Sequence, residues 1–170
     1  MRWYWIDRFL EFESGRYAKA IKAISLAEDH LHDHFPNYPV IPNTLVIEGL
    51  AQVGGLLVCE HNHFQEKVVL AKVSKVQFHG QAVPGDTLVY RTDVDYIKES
   101  GAMVTGTAHL DGKLYAEAEL VFAHLASDYD DHTLFEPKAF LQMMRMLGAY
   151  EVGHAADGSP LIETVNLSSS

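Results

Sequence analysis

The pattern of hydrophobic and polar positions begins with that of a β-hairpin. Residues 3–12 are dominated by aromatic and β-branched side chains, which favour a strand. The turn-forming pair Ser14 and Gly15 follows, and residues 17–25 then alternate loosely between apolar and polar side chains. We therefore predict two paired strands at the start of the chain.

A proline-rich segment and a long apolar helix come next. Residues 36–42 have a proline at every third position, which excludes a helix and favours an extended segment. Residues 44–59 lack proline, and apolar side chains cover most of their helical circumference, which indicates a buried helix capped by Asn43 or Thr44. Three glycines lower its helix propensity and indicate that another part of the backbone comes close: Gly49, Gly54 and Gly55.

Strand patterns dominate the next part of the chain. Four segments have the composition of strands: residues 68–78, 87–97, 103–110 and 113–124. Asp111-Gly112 separates the last two and is a strong signal for a two-residue hairpin turn. The pattern predicts an α+β domain over residues 1–125, in which one buried helix packs on an antiparallel sheet.

Residues 126–170 form a predicted extension to this domain. Residues 127–132 are short, polar and acidic, which is typical of a linker. Residues 137–147 have one apolar face, so we predict a helix that packs on its own sheet or on a partner subunit. Residues 153–170 contain few apolar side chains and end in three serines, which predicts a mobile tail.

Composition and charge exclude several classes of protein. The chain has 170 residues and a net charge of −10, which disfavours sequence-independent binding to nucleic acids. Its single cysteine, Cys59, excludes an internal disulfide. The longest apolar stretch, residues 46–58, is too short to span a bilayer, and the first residues lack the apolar core of a signal peptide. We expect a cytoplasmic protein that binds neither nucleic acids nor membranes.

Two residues are candidates for acid–base chemistry. Glu48 lies on an apolar helix face, where desolvation raises the pKa of a carboxyl group toward the range of a general acid. The alternative is that Glu48 lies at an edge and pairs with a lysine or a backbone group. His34 precedes the proline-rich segment, and an extended segment of that length covers about 25 Å. His34 and Glu48 would then be far apart in one chain, and a dimer could bring them together.

The chain's ten histidines also raise the question of a metal site. His30, His32 and His34 alternate and would share one face if this segment were a strand. Neither a cysteine pair nor a His-Glu-x-x-His helix accompanies them. We therefore predict no metal site.

The segment around His34 and Glu48 closely resembles the signature of the β-hydroxyacyl-acyl carrier protein dehydratases of the FabZ type. That signature runs His-Phe-Pro-Gly-x-Pro-Val-x-Pro-Gly-x-Leu, followed three residues later by Glu and then by Ala-Gln. The matching residues are His34, Phe35, Pro36, Pro39, Val40, Pro42, Leu45, Glu48, Ala51 and Gln52. Residues 6–11, residues 83–88 with Phe78, and residues 116–120 also resemble segments of this family.

The resemblance implies a hot-dog fold, in which an antiparallel sheet wraps around one long helix. It also implies a homodimer, which in this family often assembles further as a trimer of dimers. Each active site would lie at the dimer interface, with His34 from one chain and Glu48 from the other. No cofactor or metal is implied, and the substrate would be carried by acyl carrier protein or coenzyme A.

The implied reaction removes water from a (3R)-hydroxyacyl thioester and gives a trans-2-enoyl thioester for fatty acid or related lipid biosynthesis. His34 would take the α-proton, Glu48 would protonate the leaving hydroxyl, and the backbone N–H of Asn43 would stabilise the enolate oxygen. The resemblance also implies three further substrate-binding residues: Val40, Gln52 and Phe78.

The chain departs from the family signature at two glycines and near the predicted carrier-binding surface. Asn37 and Asn43 replace the glycines, and asparagine tolerates positive φ better than most residues. Residues 79–81 replace residues that are usually basic in the family, and a local basic patch of Lys67, Lys72 and Lys75 is a candidate to take their place. Two other functions stay open: a hot-dog thioesterase with Glu48 as the base toward water, and a catalytically weak subunit that binds acyl thioesters.

Overall fold

The computed structural model describes residues 4–125 and 137–163. The predicted linker at residues 127–132 and the last residues of the predicted tail lie outside the described residues. Seven strands are present in this part of the chain: β1 (Arg8–Glu13), β2 (Tyr17–Ala23), β3 (Lys67–Phe78), β4 (Thr87–Lys98), β5 (Gly101–Leu110), β6 (Lys113–Leu125) and β7 (Gly153–His154). The helices are α1 (Asp29–Asp33), α2 (Asn43–His61), α3 (Pro137–Met146) and α4 (Ala149–Val152). Among the described residues, no helix is long and apolar enough to cross a membrane.

All seven strands form one sheet, in the order β3-β6-β5-β4-β2-β1-β7. Every neighbouring pair is antiparallel except β1 and β7, which run parallel. Asp111 and Gly112 connect β5 to β6 with φ angles of 50° and 75°, as a two-residue hairpin turn with positive φ requires. This α+β architecture, a sheet wrapped around α2, confirms the predicted hot-dog fold.

Helix α2 is buried because apolar side chains lie on most of its circumference. Val46, Leu50 and Val53 are completely buried between the helix and the sheet. Gly49 allows the closest approach, because a Cβ atom there would lie 2.4 Å from the ring of Tyr90 on β4. The predicted cap was wrong: Pro42 is the N-cap and makes no side-chain capping bond.

The proline-rich segment is folded back rather than extended. The N–H of Phe35 donates to the carbonyl of Tyr38 at 3.0 Å, and the N–H of Tyr38 donates to the carbonyl of Phe35 at 2.9 Å. Pro36 followed by Asn37 at φ 66° matches a type II turn, which takes proline first and positive φ second. The prediction of a continuous extended segment was therefore wrong, because the asparagine supplies a turn conformation.

The histidines before this turn also differ from the expectation of a strand. His30 and His32 lie in the short helix α1, and His34 is its C-cap residue. Alternate residues of a helix point in different directions, so the three rings do not share one face.

The C-terminal extension packs on the chain's own sheet, one of the two predicted arrangements for the helix. Leu141 and Met144 of α3 are buried in the same core as the sheet. The N–H of Phe9 donates to the carbonyl of Leu147 at 2.8 Å, and β7 then pairs with β1. Residues 153–163 are thus held by strand pairing and local hydrogen bonds, which differs from the mobile tail predicted there.

Candidate active site

His34 is held at the end of α1 by the turn that follows it. Its Nδ1 lies 2.9 Å from the carbonyl oxygen of Val40. A carbonyl only accepts hydrogen bonds, so Nδ1 carries a proton and Nε2 is the ring nitrogen left for acid–base exchange. The N–H of Val40 donates to the carbonyl of His34 at 2.9 Å, and the ring of Phe35 stacks on the imidazole at 4.2 Å. These contacts orient the imidazole through Nδ1 and the ring face, and none of them involves Nε2.

Glu48 lies in the second turn of α2 and is half-buried. The side-chain amide of Gln52, one turn further on, donates to Glu48 Oε1 at 2.8 Å. Gln52 Oε1 in turn accepts a hydrogen bond from the backbone N–H of Trp5 at 2.9 Å, which fixes the orientation of the amide. The carboxylate is therefore positioned by a neutral amide, and not by the lysine or backbone group that the alternative expectation named.

His34 and Glu48 line different cavities of the chain. The cavity at His34 has a volume of about 290 Å³ and is also lined by Val40, Asn43 and Gly80. The cavity at Glu48 has a volume of about 240 Å³ and also contains Gln52. Within one chain, His34 thus shares a cavity with Val40 and Asn43, two of the predicted substrate-binding residues. Glu48 shares the other cavity with a third, Gln52.

Phe78 stands apart from both cavities. It is the last residue of β3 and packs partly buried against the hydrophobic core. Neither cavity includes it among its described lining residues. Its predicted role in substrate binding has no support from the geometry of one chain.

Asn43 is exposed at the first position of α2. The first N–H groups of a helix have no partner within the helix, and the helix dipole places partial positive charge on them. Because Asn43 lines the cavity at His34, these N–H groups lie where a developing oxyanion could be stabilised. The cavity at His34 thus adjoins the N-terminal end of α2, and the role of this backbone stays a prediction.

Strand β3 forms one edge of the sheet and is largely exposed. Leu70 is 40% exposed and Val76 38% exposed on this edge. Lys72 and Lys75 are also exposed and supply positive charge on a chain whose net charge is −10. A long edge strand with apolar side chains can pair with another strand.

Sequence reasoning missed two contributors to the cavity at Glu48. Phe140 and Met143 of α3 line it, although they lie more than 90 positions after Glu48 in the sequence. The amphipathic pattern of residues 137–147 identified a helix but contained no signal for the cavity that it borders. In the part of the chain that the structure describes, no group of three histidine, cysteine or acidic side chains is placed to hold a metal ion.

Comparison with known proteins identifies relatives of this chain. The model of the FabA-like domain family matches residues 3–124. A curated 3-hydroxyacyl-[acyl-carrier-protein] dehydratase FabZ from Pelotomaculum thermopropionicum is 38% identical over 119 residues, which cover 69% of this chain and 85% of that protein. The protein of the same name from Desulforamulus reducens is 40% identical over 121 residues, which cover 69% of this chain and 84% of that protein.

Solved structures share the fold at low sequence identity. The dehydratase heterocomplex ApeI:P from Xenorhabdus doucetiae matches with a TM-score of 0.62 at 14% identity, over 74% of this chain and 85% of that chain. A Streptococcus mutans protein bound to acetyl CoA matches with a TM-score of 0.60 at 13% identity, over 74% of this chain and 94% of its own.

Proposed function

The chain belongs to the FabA-like family, and from that premise we propose that His34 and Glu48 of two different subunits form its active site. Its relatives are FabZ-type dehydratases at 38–40% identity over most of their length. The chain is accordingly a 3-hydroxyacyl-[acyl-carrier-protein] dehydratase of fatty acid biosynthesis. The residue roles, the dimer and the carrier are the parts proposed here.

The proposed reaction begins at His34. Nε2 takes the proton from the α-carbon of the (3R)-hydroxyacyl thioester, and the electrons of the broken C–H bond move toward the thioester carbonyl. The backbone N–H of Asn43 and the positive end of α2 stabilise the resulting enolate oxygen. The single observation that supports this role is the hydrogen bond from His34 Nδ1 to the carbonyl of Val40. It occupies Nδ1, so Nε2 is the nitrogen left to act as the base.

Glu48 completes the dehydration as the general acid. The enolate electrons form the C=C double bond as the bond from the β-carbon to the hydroxyl oxygen breaks, and Glu48 gives its proton to that oxygen. The products are a trans-2-enoyl thioester and water. Protonated His34 then returns its proton to Glu48 through solvent, which restores both groups.

Three features support an interface site. His34 and Glu48 line separate cavities in one chain, whereas the proposed reaction needs both groups at one substrate. The exposed edge of β3 is suited to pair with the same edge of a second copy, because such a pairing is self-complementary about a two-fold axis. Val68 and Leu70 of this edge also line the cavity at Glu48, which would place the second copy beside it.

The carrier and the location are also proposed. The relatives' name specifies acyl carrier protein, and the exposed lysines Lys72 and Lys75 offer positive charge to an acidic carrier. Coenzyme A is the alternative carrier, and the two are distinguished by comparing kcat/KM for the same acyl group on each. The cytoplasm is the proposed location, and the trimer of dimers stays a prediction that a solution mass measurement tests.

The first experiment measures enoyl product from a (3R)-hydroxyacyl pantetheine thioester. We expect the wild type to form it, and His34→Ala and Glu48→Gln to lose at least about a hundredfold in kcat, as is typical for an acid–base residue. His32→Ala is the matched control, since His32 is an exposed histidine of α1 bonded to the carbonyl of Leu26. Release of free thiol without enoyl product would indicate a thioesterase instead.

The second experiment tests whether the site is shared between subunits. Inactive His34→Ala and Glu48→Gln chains are mixed, unfolded together and refolded. If the site is shared, each mixed dimer contains one site with both groups intact, and about a quarter of the wild-type activity returns. If both groups act within one chain, no mixed dimer contains an intact site and no activity returns.

A further inference from the structure

Helix α3 contributes to the cavity at Glu48 from outside the part of the chain that matches the family. The family model ends at residue 124, and α3 begins at Pro137. Phe140 and Met143 nevertheless line the cavity together with residues of α2, β3 and β6. This side of the cavity is therefore formed by the C-terminal extension, which lies outside the part of the chain that matches the family.

The cavity follows one face of α2 for most of the helix. Its lining residues on α2 recur about once per turn, from Glu48 through Ala51 and Gln52 to Gly55, Leu56 and Cys59. Cys59 lies eleven positions after Glu48, which corresponds to roughly 16 Å along a helix axis. The lining is polar at Glu48 and Gln52 and apolar beyond them, so an acyl chain that reacts near Glu48 would extend toward Cys59.

Phe140 lies at the far, apolar end of this cavity. Its ring stacks on that of Phe64 with 5.9 Å between centroids and 13° between planes. Phe64 lies three positions after the last residue of α2, and its N–H donates to the carbonyl of Cys59 at 2.8 Å. Helix α3 therefore borders the cavity at the end opposite to the carboxylate.

The helix is fixed in this position by a second apolar face. Leu141 and Met144 are buried in the core, whereas Phe140 and Met143 are half-buried at the cavity. The hydrogen bond from Phe9 to the carbonyl of Leu147 ties the end of α3 to β1. A helix anchored on one face presents a fixed surface with the other.

We propose that Phe140 and Met143 are specificity-determining residues that limit the length of the acyl chain this enzyme accepts. The inference rests on the proposed function, because it takes the cavity at Glu48 as the acyl site. Phe140 and Met143 border this cavity of about 240 Å³ at its apolar end, so their side chains set how far an acyl chain can extend along α2. Removing either side chain lengthens the cavity toward Phe64.

The experiment compares kcat/KM across (3R)-hydroxybutanoyl, hydroxyoctanoyl and hydroxyhexadecanoyl pantetheine thioesters. Met143→Ala and Phe140→Ala each raise the ratio of kcat/KM for the longer over the shorter substrates by about tenfold, the scale of a few methylene contacts in an apolar pocket. Met143→Trp fills the same space and lowers that ratio. A loss of stability alone would not move the two kinds of variant in opposite directions.

Met146→Ala is the matched control. Met146 lies on the same helix, is 62% exposed and does not line the cavity. We expect its chain-length profile to equal that of the wild type. Thermal unfolding of every variant confirms that the folded protein is being compared.

A binding measurement separates this inference from the proposed reaction. Calorimetry with saturated acyl pantetheine amides, which cannot be dehydrated, gives Kd for each chain length independently of catalysis. If Met143→Ala and Phe140→Ala bind longer acyl chains than the wild type does, the inference is supported even if the assignment of His34 and Glu48 is wrong. An unchanged profile in all variants, with the wild type active as a dehydratase, overturns the inference and leaves the proposed function standing.

Discussion

The two candidate catalytic groups are positioned by parts of the molecule that differ in kind. Glu48 belongs to a helix of 19 residues whose side chains form the centre of the core. His34 belongs to a short loop and depends on its bonds with Val40 and on the turn at Asn37. A substitution that destabilises α2 therefore destabilises the whole fold, whereas a substitution in the loop changes the orientation of one side chain, His34.

This difference gives two kinds of expected effect. Variants in α2 should lower the free energy of unfolding, and variants in the loop should lower activity at nearly constant stability. Local unfolding of a loop with few buried contacts costs less free energy than opening a core helix.

Gly49→Ala is expected to have the largest effect on stability. The added Cβ would lie 2.4 Å from the ring of Tyr90, which is completely buried and has little room to move. Overpacking of this kind costs about 1–3 kcal/mol. The measurement is the free energy of unfolding in urea.

Gly55→Ala is the matched control on the same helix. Its added Cβ would lie 3.4 Å from Phe122, an ordinary contact distance. Alanine has a higher helix propensity than glycine by about 1 kcal/mol, so this variant should be at least as stable as the wild type. Equal stability of the two variants would show that Tyr90 does not restrict α2.

The second prediction concerns the loop. Asn37→Ala places alanine at φ 66°, where a side chain without a local hydrogen-bonding group costs about 1–2 kcal/mol. We expect kcat/KM to fall about tenfold, because the strained turn no longer holds the imidazole of His34, while global stability changes less than in Gly49→Ala. Steady-state kinetics and urea unfolding of the same preparations test both statements.

Asn37→Gly is the control, since glycine adopts positive φ freely and is the residue of the family signature. It should keep the wild-type activity. If Asn37→Ala were as active as Asn37→Gly, the orientation of His34 would not depend on this turn.

The same contrast explains how much of the fold the sequence predicts. The residues of α2 and of the hairpin at Asp111 and Gly112 carry strong local signals, an apolar circumference and a turn dipeptide, and both predictions were confirmed. The segment after His34 was wrongly predicted as extended, because proline spacing alone does not reveal that Asn37 reverses the chain. Its conformation depends on one left-handed residue rather than on a periodic pattern.

The sequence likewise predicts some features of the candidate site and not others. The motif identified His34 and Glu48, but their placement in separate cavities follows from the path of the whole chain. Phe140 and Met143 were not predicted as lining residues, because their contact with α2 joins distant parts of the sequence. A helical pattern predicts which face is apolar and leaves open what that face covers.

The last and smallest effect concerns a charge that α2 buries in its final turn. Glu60 is 6% exposed, and burial raises the pKa of its carboxyl group although the Ser14 hydroxyl and the nearby His63 and His61 oppose the shift. Its Oε2 has no hydrogen-bond partner among the described residues. The helix that stabilises the fold thus also carries one unfavourable group.

The pH dependence follows from the direction of this shift. Because the folded-state pKa lies above the unfolded value, ionising Glu60 costs more free energy in the folded protein. Its contribution is most favourable below the unfolded pKa and is lost as pH rises through the folded pKa. Glu60→Gln should therefore be more stable than the wild type at neutral pH, and the difference should shrink as pH falls toward 4.5, the ordinary value for this carboxyl group. Urea unfolding across that range tests this, with Glu99→Gln at an exposed turn as the control for loss of one charge. A wild type more stable than Glu60→Gln at neutral pH would mean that the polar contacts of Glu60 outweigh the cost of its burial.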